Sequence, residues 1–166
     1  GGSDDGAVHN GLKEKDFALD LALLLKERLE AKDYDVFLTR DSDDLTGPYD
    51  VNNNNRINPT ERVELINSYA ADLVISLHLN SYATDTSVNG LEILYGDNSE
   101  LSKELADTII APVIDSCDTK NRGVKHRPDV LILQESSVPT VLIEAGFITN
   151  QTDTTNLQNF IYKHKM

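Results

Sequence analysis

Between Leu73 and Leu77 the chain reads Leu-Val-Ile-Ser-Leu, a run too apolar to alternate between a wet face and a dry one. Such a run suits a parallel strand covered on both faces. It restricts the fold to sheets with helices above and below. The rest of the chain fits that restriction. Phe17, Leu21, Leu24, Leu25 and Leu29 recur at helical spacing within Asp16–Lys32, with Asp16 placed to cap. Asn58-Pro59-Thr60-Glu61 combines a capping Asn, a Pro at the first helical position and a Glu that can reach back. Ser99–Val113 and Asp153–Lys163 read as two further helices. Tyr34–Thr39, Leu91–Tyr95, Val130–Leu133 and Thr140–Ile143 read as strands, and a polar loop passes through Asp41, Gly47, Pro48 and Asn52–Asn55. Strands interleaved with helices predict an α/β fold, a mainly parallel twisted sheet with helices on both faces. At 166 residues this is one domain, able to bury a core without disulfides. The single cysteine, Cys117, can form no internal disulfide.

Charge narrows the partners. With 28 acidic against 15 basic residues the net charge is −13. Nucleic-acid binding depends on neutralising phosphates with Lys and Arg, so no nucleic acid is expected. The same field opposes docking on an anionic membrane, and no apolar run approaches a membrane span. The chain shows no signal peptide and starts at Gly1 without a Met, so the absence of a signal says little about export.

In open α/β sheets, sites gather at the carboxyl ends of strands. That rule selects His78, after Leu73–Leu77, and Glu144, after Thr140–Ile143. A histidine leaving a buried strand can offer a ring nitrogen to a metal, and a catalytic zinc takes about three protein ligands plus a water. Glu14, in a loop just before the first helix, is the best partner for it. A carboxylate such as Glu144, at the end of an apolar strand, is partly desolvated, which favours a raised pKa and work as a general base. From the residues alone, plainer alternatives stand beside these. His78 could be a polar residue leaving the core, Glu14 a solvated charge favourable to the helix dipole, and Glu144 a strand-end carboxylate meeting solvent. His126 and Arg127, before Pro128, read as a surface loop, and His164 as solvated.

Seven segments together resemble one known family. They are Gly1-Gly2-Ser3-Asp4-Asp5-Gly6-Ala7, Leu12-Lys13-Glu14-Lys15-Asp16, Leu38-Thr39-Arg40, Arg62 with Asn67, Ala71 through Asn80, Asn121-Arg122-Gly123-Val124-Lys125, and Pro139 through Asn150. Their order and spacing resemble the zinc N-acetylmuramoyl-L-alanine amidases of bacterial cell-wall turnover, which include autolysins and phage endolysin domains. The resemblance implies a sheet of about six strands and one Zn2+ ion. The implied reaction is hydrolysis of the amide between the lactyl group of N-acetylmuramic acid and the L-alanine of the stem peptide. By position, Glu14 of the Glu-Lys-Asp motif and His78 of the Ser-x-His-x-Asn motif are implied zinc ligands. Glu144 of the Glu-x-Gly-Phe motif is the implied catalytic carboxylate, acting on metal-activated water. Asn80 and Arg122 belong to recurrent motifs without an assigned role. The family carries a further zinc-binding His in a Gly-His-Gly-Gly motif after its first strand. By the resemblance, that His and that strand fall directly before Gly1, and His9 occupies a variable loop position. The expectation is therefore a single catalytic domain over 1–166, trimmed at both ends. It would be a monomer that takes peptidoglycan as substrate in the cell wall or outside the cell. A carboxypeptidase-like zinc peptidase and a non-catalytic peptidoglycan-binding remnant are the alternatives.

Overall fold

A computed structural model describes residues 1–45, 50, 52 and 54–166. In chain order its elements are β1 (Val8–His9), β2 (Leu12–Lys13), α1 (Glu14–Glu30), α2 (Pro59–Ser68), β3 (Val74–Asn80), β4 (Leu91–Tyr95), α3 (Glu100–Cys117), β5 (Asn121–His126), α4 (Leu131–Glu135), β6 (Thr140–Phe147), α5 (Gln151–Gln158) and α6 (Phe160–Lys165). The strands β1 and β2 form a small hairpin, and the main sheet runs in the order β3-β6-β4-β5. Its β3–β6 and β4–β5 pairs are parallel, and β4–β6 is antiparallel.

Residue parity on the strands shows the layering. Ile93, Val141 and Ile143 pack with Ala106 and Ile110 of α3, whereas Leu94 and Leu142 pack with Leu133 of α4. Neighbouring residues on one strand face opposite sides, so helices cover both faces of the sheet. A third cluster joins Phe17 and Leu21 of α1 to Leu79, Ala145, Ile148 and Leu157, tying α1 and α5 to the ends of β3 and β6.

The α/β architecture expected from the sequence is present, and several details differ. The main sheet has four strands among the described residues, not about six. Residues 34–39 pair with no described strand: Tyr34 and Phe37 are exposed, and the segment is held by side chains instead. Lys26 Nζ donates to the Val36 carbonyl, Tyr69 Oη donates to the Leu38 carbonyl, and Phe37 stacks on Tyr69. Val130–Leu133 is not a strand, since Leu131–Glu135 is helical. A four-residue apolar run carries too little period to separate the two states. Asp16 does not cap α1. The helix starts at Glu14, and its N-cap residue Lys13 makes no side-chain cap bond. The expected last helix is divided at Asn159, whose side chain caps α6. The α2 start is as expected, with Asn58 and Glu61 forming a reciprocal capping box. Gly47, Pro48 and Asn53 of the expected polar loop lie outside the described residues.

Candidate active site

Two strands and the start of one helix deliver the three carboxylate and imidazole side chains selected above. Both strands run further than the apolar runs suggest. His78 is the fifth residue of β3 and Glu144 the fifth of β6, so neither ends its strand. They are direct cross-strand partners in the parallel ladder, and Glu144 is also the antiparallel partner of Glu92 on β4. Register partners point to the same face, so His78, Glu144 and Glu92 form a row across the sheet. Leu142 precedes Glu144 on that face and lies in the core against Leu133. The polar row begins where the apolar layer under α4 stops.

Glu14 reaches this row from the first residue of α1. His78 Nδ1 donates to Glu14 Oε1 at 2.7 Å. The other Glu14 oxygen accepts the Ala7 amide at 2.8 Å, while the Glu14 amide donates back to the Ala7 carbonyl at 2.9 Å. This reciprocal pair fixes the carboxylate against the N-terminal loop. Gly6 is needed for it: its φ is +67°, and a Cβ there would stand 2.5 Å from Glu14 Oε2. Burial pushes the Glu14 pKa upward, but the hydrogen bonds from His78 and Ala7 outweigh it and hold the carboxyl below its ordinary value. On the far side of the imidazole, Ser76 Oγ lies 3.1 Å from Nε2.

Glu144 has the opposite environment. Its Oε2 is buried and has no hydrogen-bond partner among the described residues. Burial, with Glu14 and Glu92 adding repulsion, pushes its pKa up to about 7 despite the opposing influence of His78 and Arg127. Two carboxylates in one site are thus driven apart, Glu14 toward a permanent anion and Glu144 toward a group that gains and loses a proton near neutrality.

Glu92 is a site residue that sequence reasoning did not select. A charged residue in the middle of Leu-Glu-Ile-Leu-Tyr was the available signal. It is 5% exposed. Its Oε1 accepts from Asn80 Nδ2 at 2.9 Å, and its Oε2 accepts from Arg122 Nε at 2.9 Å and from Lys125 Nζ at 2.5 Å. Burial raises the Glu92 pKa, but the two cations overcome it and keep the carboxyl ionised. Asn80 and Arg122 therefore both hold Glu92, and the Arg122 guanidinium also lies 4.8 Å above the Phe147 ring. The other histidines take no part. His9 pairs with Leu12 in the hairpin, His126 closes β5 against Asp97, and His164 lies against the Phe160 ring within α6.

Residues 1–166 match the model of the N-acetylmuramoyl-L-alanine amidase family. The chain belongs to that family. It is 34% identical over 167 residues to the N-acetylmuramoyl-L-alanine amidase LytC of Bacillus subtilis, a match covering 99% of this chain and 31% of LytC. It is 30% identical over 172 residues to the germination-specific N-acetylmuramoyl-L-alanine amidase of the same organism, covering 100% of this chain and 71% of that protein. Among solved structures, the CwlD amidase of Clostridioides difficile, in complex with the GerS lipoprotein, superposes with a TM-score of 0.88 at 32% identity, covering 99% of this chain and 87% of CwlD. An N-acetylmuramoyl-L-alanine amidase of Clostridium difficile 630 gives 0.87 at 28% identity, covering 99% and 84%. This amidase thus shares the family's α/β sheet flanked by helices.

The site can be tested against the zinc that the family resemblance implies. Glu14 Oε1 and His78 Nδ1 are donor kinds that zinc takes. They face each other, and the remaining polar atom of each side chain is itself supported, as ligand atoms need. The donor set therefore fits zinc in kind. Among the described residues no group of three or more His, Cys, Asp and Glu is placed to hold a metal.

Proposed function

We propose that this amidase hydrolyses the amide between the lactyl group of N-acetylmuramic acid and the L-alanine of the peptidoglycan stem peptide, with Glu14 and His78 as zinc ligands and Glu144 as general base. One observation carries the reading. His78, hydrogen-bonded to Glu14, sits in register beside Glu144, whose buried Oε2 has no partner among the described residues. When bound, zinc supplies a Lewis acid that polarises a carbonyl and brings the pKa of a water near neutrality. The protein's own residues account for the rest. Glu14, held by Ala7, presents a fixed negative charge. Ser76 Oγ, 3.1 Å from Nε2, steadies the far side of the His78 ring. Glu144 Oε2 takes the proton from the attacking water and returns it to the departing alanine nitrogen. A pKa near the working pH suits both transfers, and such a group contributes on the order of 10²–10⁴-fold in rate. No helix among the described residues is long and apolar enough to cross a membrane. With a peptidoglycan substrate, the site of action is the cell envelope.

The test is to incubate the zinc-loaded protein with purified cell walls. The expected result is release of stem peptides, stopped by a chelator, with an unlinked stem peptide left uncut. Cleavage of the unlinked peptide would favour a carboxypeptidase-like enzyme. The second reading is a binding domain that does not cut. Retention on cell walls without peptide release would support it.

A further inference from the structure

The Glu92 cluster holds more positive charge than Glu92 needs. Both of its oxygens are already occupied once Asn80 and Arg122 have donated, yet Lys125 adds a second cation to Oε2. The two ends of the cluster differ in depth. The Glu92 side chain is 7% exposed, that of Arg122 24% and that of Lys125 41%. The carboxylate thus lies at the base, with the cations between it and solvent. Lys125 has donors beyond the one bound to Glu92. Arg122 Nη1 reaches only the Asn89 carbonyl, at 3.5 Å, and Nη2 has no hydrogen-bond partner among the described residues.

Stability does not explain the arrangement. Burying an ion pair consumes about as much desolvation energy as its attraction returns, and an apolar residue at position 92 would serve the sheet as well. Location is the remaining clue. Glu92 is the cross-strand partner of Glu144, so the excess positive charge stands next to the general base. The chain as a whole carries −13, and Glu14, Glu92 and Glu144 all face this site. The cations in direct contact with this row are Arg122 and Lys125, and Arg127 acts on it from further off, engaged with Asp129.

The proposed substrate has such groups on one side only. The carboxyl group of muramic acid is consumed in the scissile amide, so free carboxylates belong to the peptide beyond the L-alanine. We propose that Arg122 and Lys125, held in place by Glu92, bind a carboxylate of the stem peptide and so place its amide beside Glu144. Arg122 and Lys125 then touch substrate, and Glu92 is a positioning residue. This rests on the amidase reading above. A charge-assisted pair of this kind gives a selectivity of about tenfold or more.

The experiment compares two forms of one material, purified peptidoglycan and the same peptidoglycan with its carboxyl groups converted to carboxamides. The full-length zinc-loaded protein digests each, and new alanine amino termini are counted. Amidation should lower kcat/KM about tenfold, mainly through KM. Lys125→Gln should lower kcat/KM on the unmodified material to a similar level and lose sensitivity to amidation. Lys125→Arg should recover that sensitivity, and equal Tm values would show that the variants fold alike. A less than twofold effect of amidation on the parent protein overturns the inference and leaves the amidase reading intact. So does a Lys125→Gln variant as sensitive as the parent. No alanine amino termini from either material overturns the amidase reading, and this inference with it.

Discussion

At the residue scale, the site depends on two carboxylates made different by their surroundings. Glu14 accepts hydrogen bonds from His78 and Ala7, while Glu144 Oε2 accepts none from the described residues. The difference has a consequence for stability that does not depend on catalysis. A carboxyl whose folded pKa is about 7, against an ordinary 4.5, is protonated more readily in the native state than in the unfolded one. Below about pH 4 both states are protonated and the group contributes no difference. As pH rises through 4.5 to 7, the unfolded chain ionises first and the native state loses stability. With metal chelated, Glu144→Gln should therefore gain stability relative to the parent as pH rises. The gain should be on the order of 2–3 kcal/mol between pH 4 and pH 8. Denaturant unfolding at the two pH values measures it, and a pH-independent difference would show that Glu144 is not desolvated. In the sequence His78 and Glu144 are selected by strand placement and motif together, and Glu14 by the motif. Glu92 is not, because its role exists only through register. Nothing in a linear reading says that position 92 lies beside position 144.

At the element scale, the site depends on where α1 begins. The reciprocal bonds between Glu14 and Ala7 set that start, and Gly6 is the position with no room to change. Gly6→Ala combines a left-handed φ, about 1–2 kcal/mol for an L-residue, with a Cβ driven into the Glu14 carboxylate. It should weaken zinc affinity at least tenfold, measured by competition with a chromogenic chelator. Unchanged affinity would mean that the Glu14 position does not matter to the metal. Asn58→Ala offers the contrast. It removes one half of the α2 capping box and should cost about 1 kcal/mol of stability, with kcat on cell walls unchanged. A fall in kcat would show that α2 reaches the site. The capping box was readable because all its determinants lie within four residues. The state of Val130–Leu133 and of Tyr34–Thr39 was not, because it depends on neighbours distant in sequence. Leu133 turns into the core between Leu94 and Leu142. The segment 34–39 has strand composition but no described strand at its side.

At the scale of the whole molecule, the fold explains why chemistry collects on one patch. One face of the sheet is filled from α3, and α4 covers part of the other. Where the cover ends, the residues that would otherwise continue the core are His78, Glu144 and Glu92. Continuous apolar runs interleaved with amphipathic helices made this layered architecture legible. The antiparallel β4–β6 pair was not, since continuous apolar strands read alike in either direction. The central claim is that Glu144 serves as base beside a zinc held through Glu14 and His78. It is tested most directly by measuring zinc content and the release of alanine amino termini from purified cell walls, for the zinc-loaded protein and for Glu144→Gln. The account predicts equal zinc in both, alanine amino termini without new reducing sugar ends for the parent, and at least a hundredfold lower rate for the variant. Loss of zinc from Glu144→Gln, or a rate within a few fold of the parent, would contradict it.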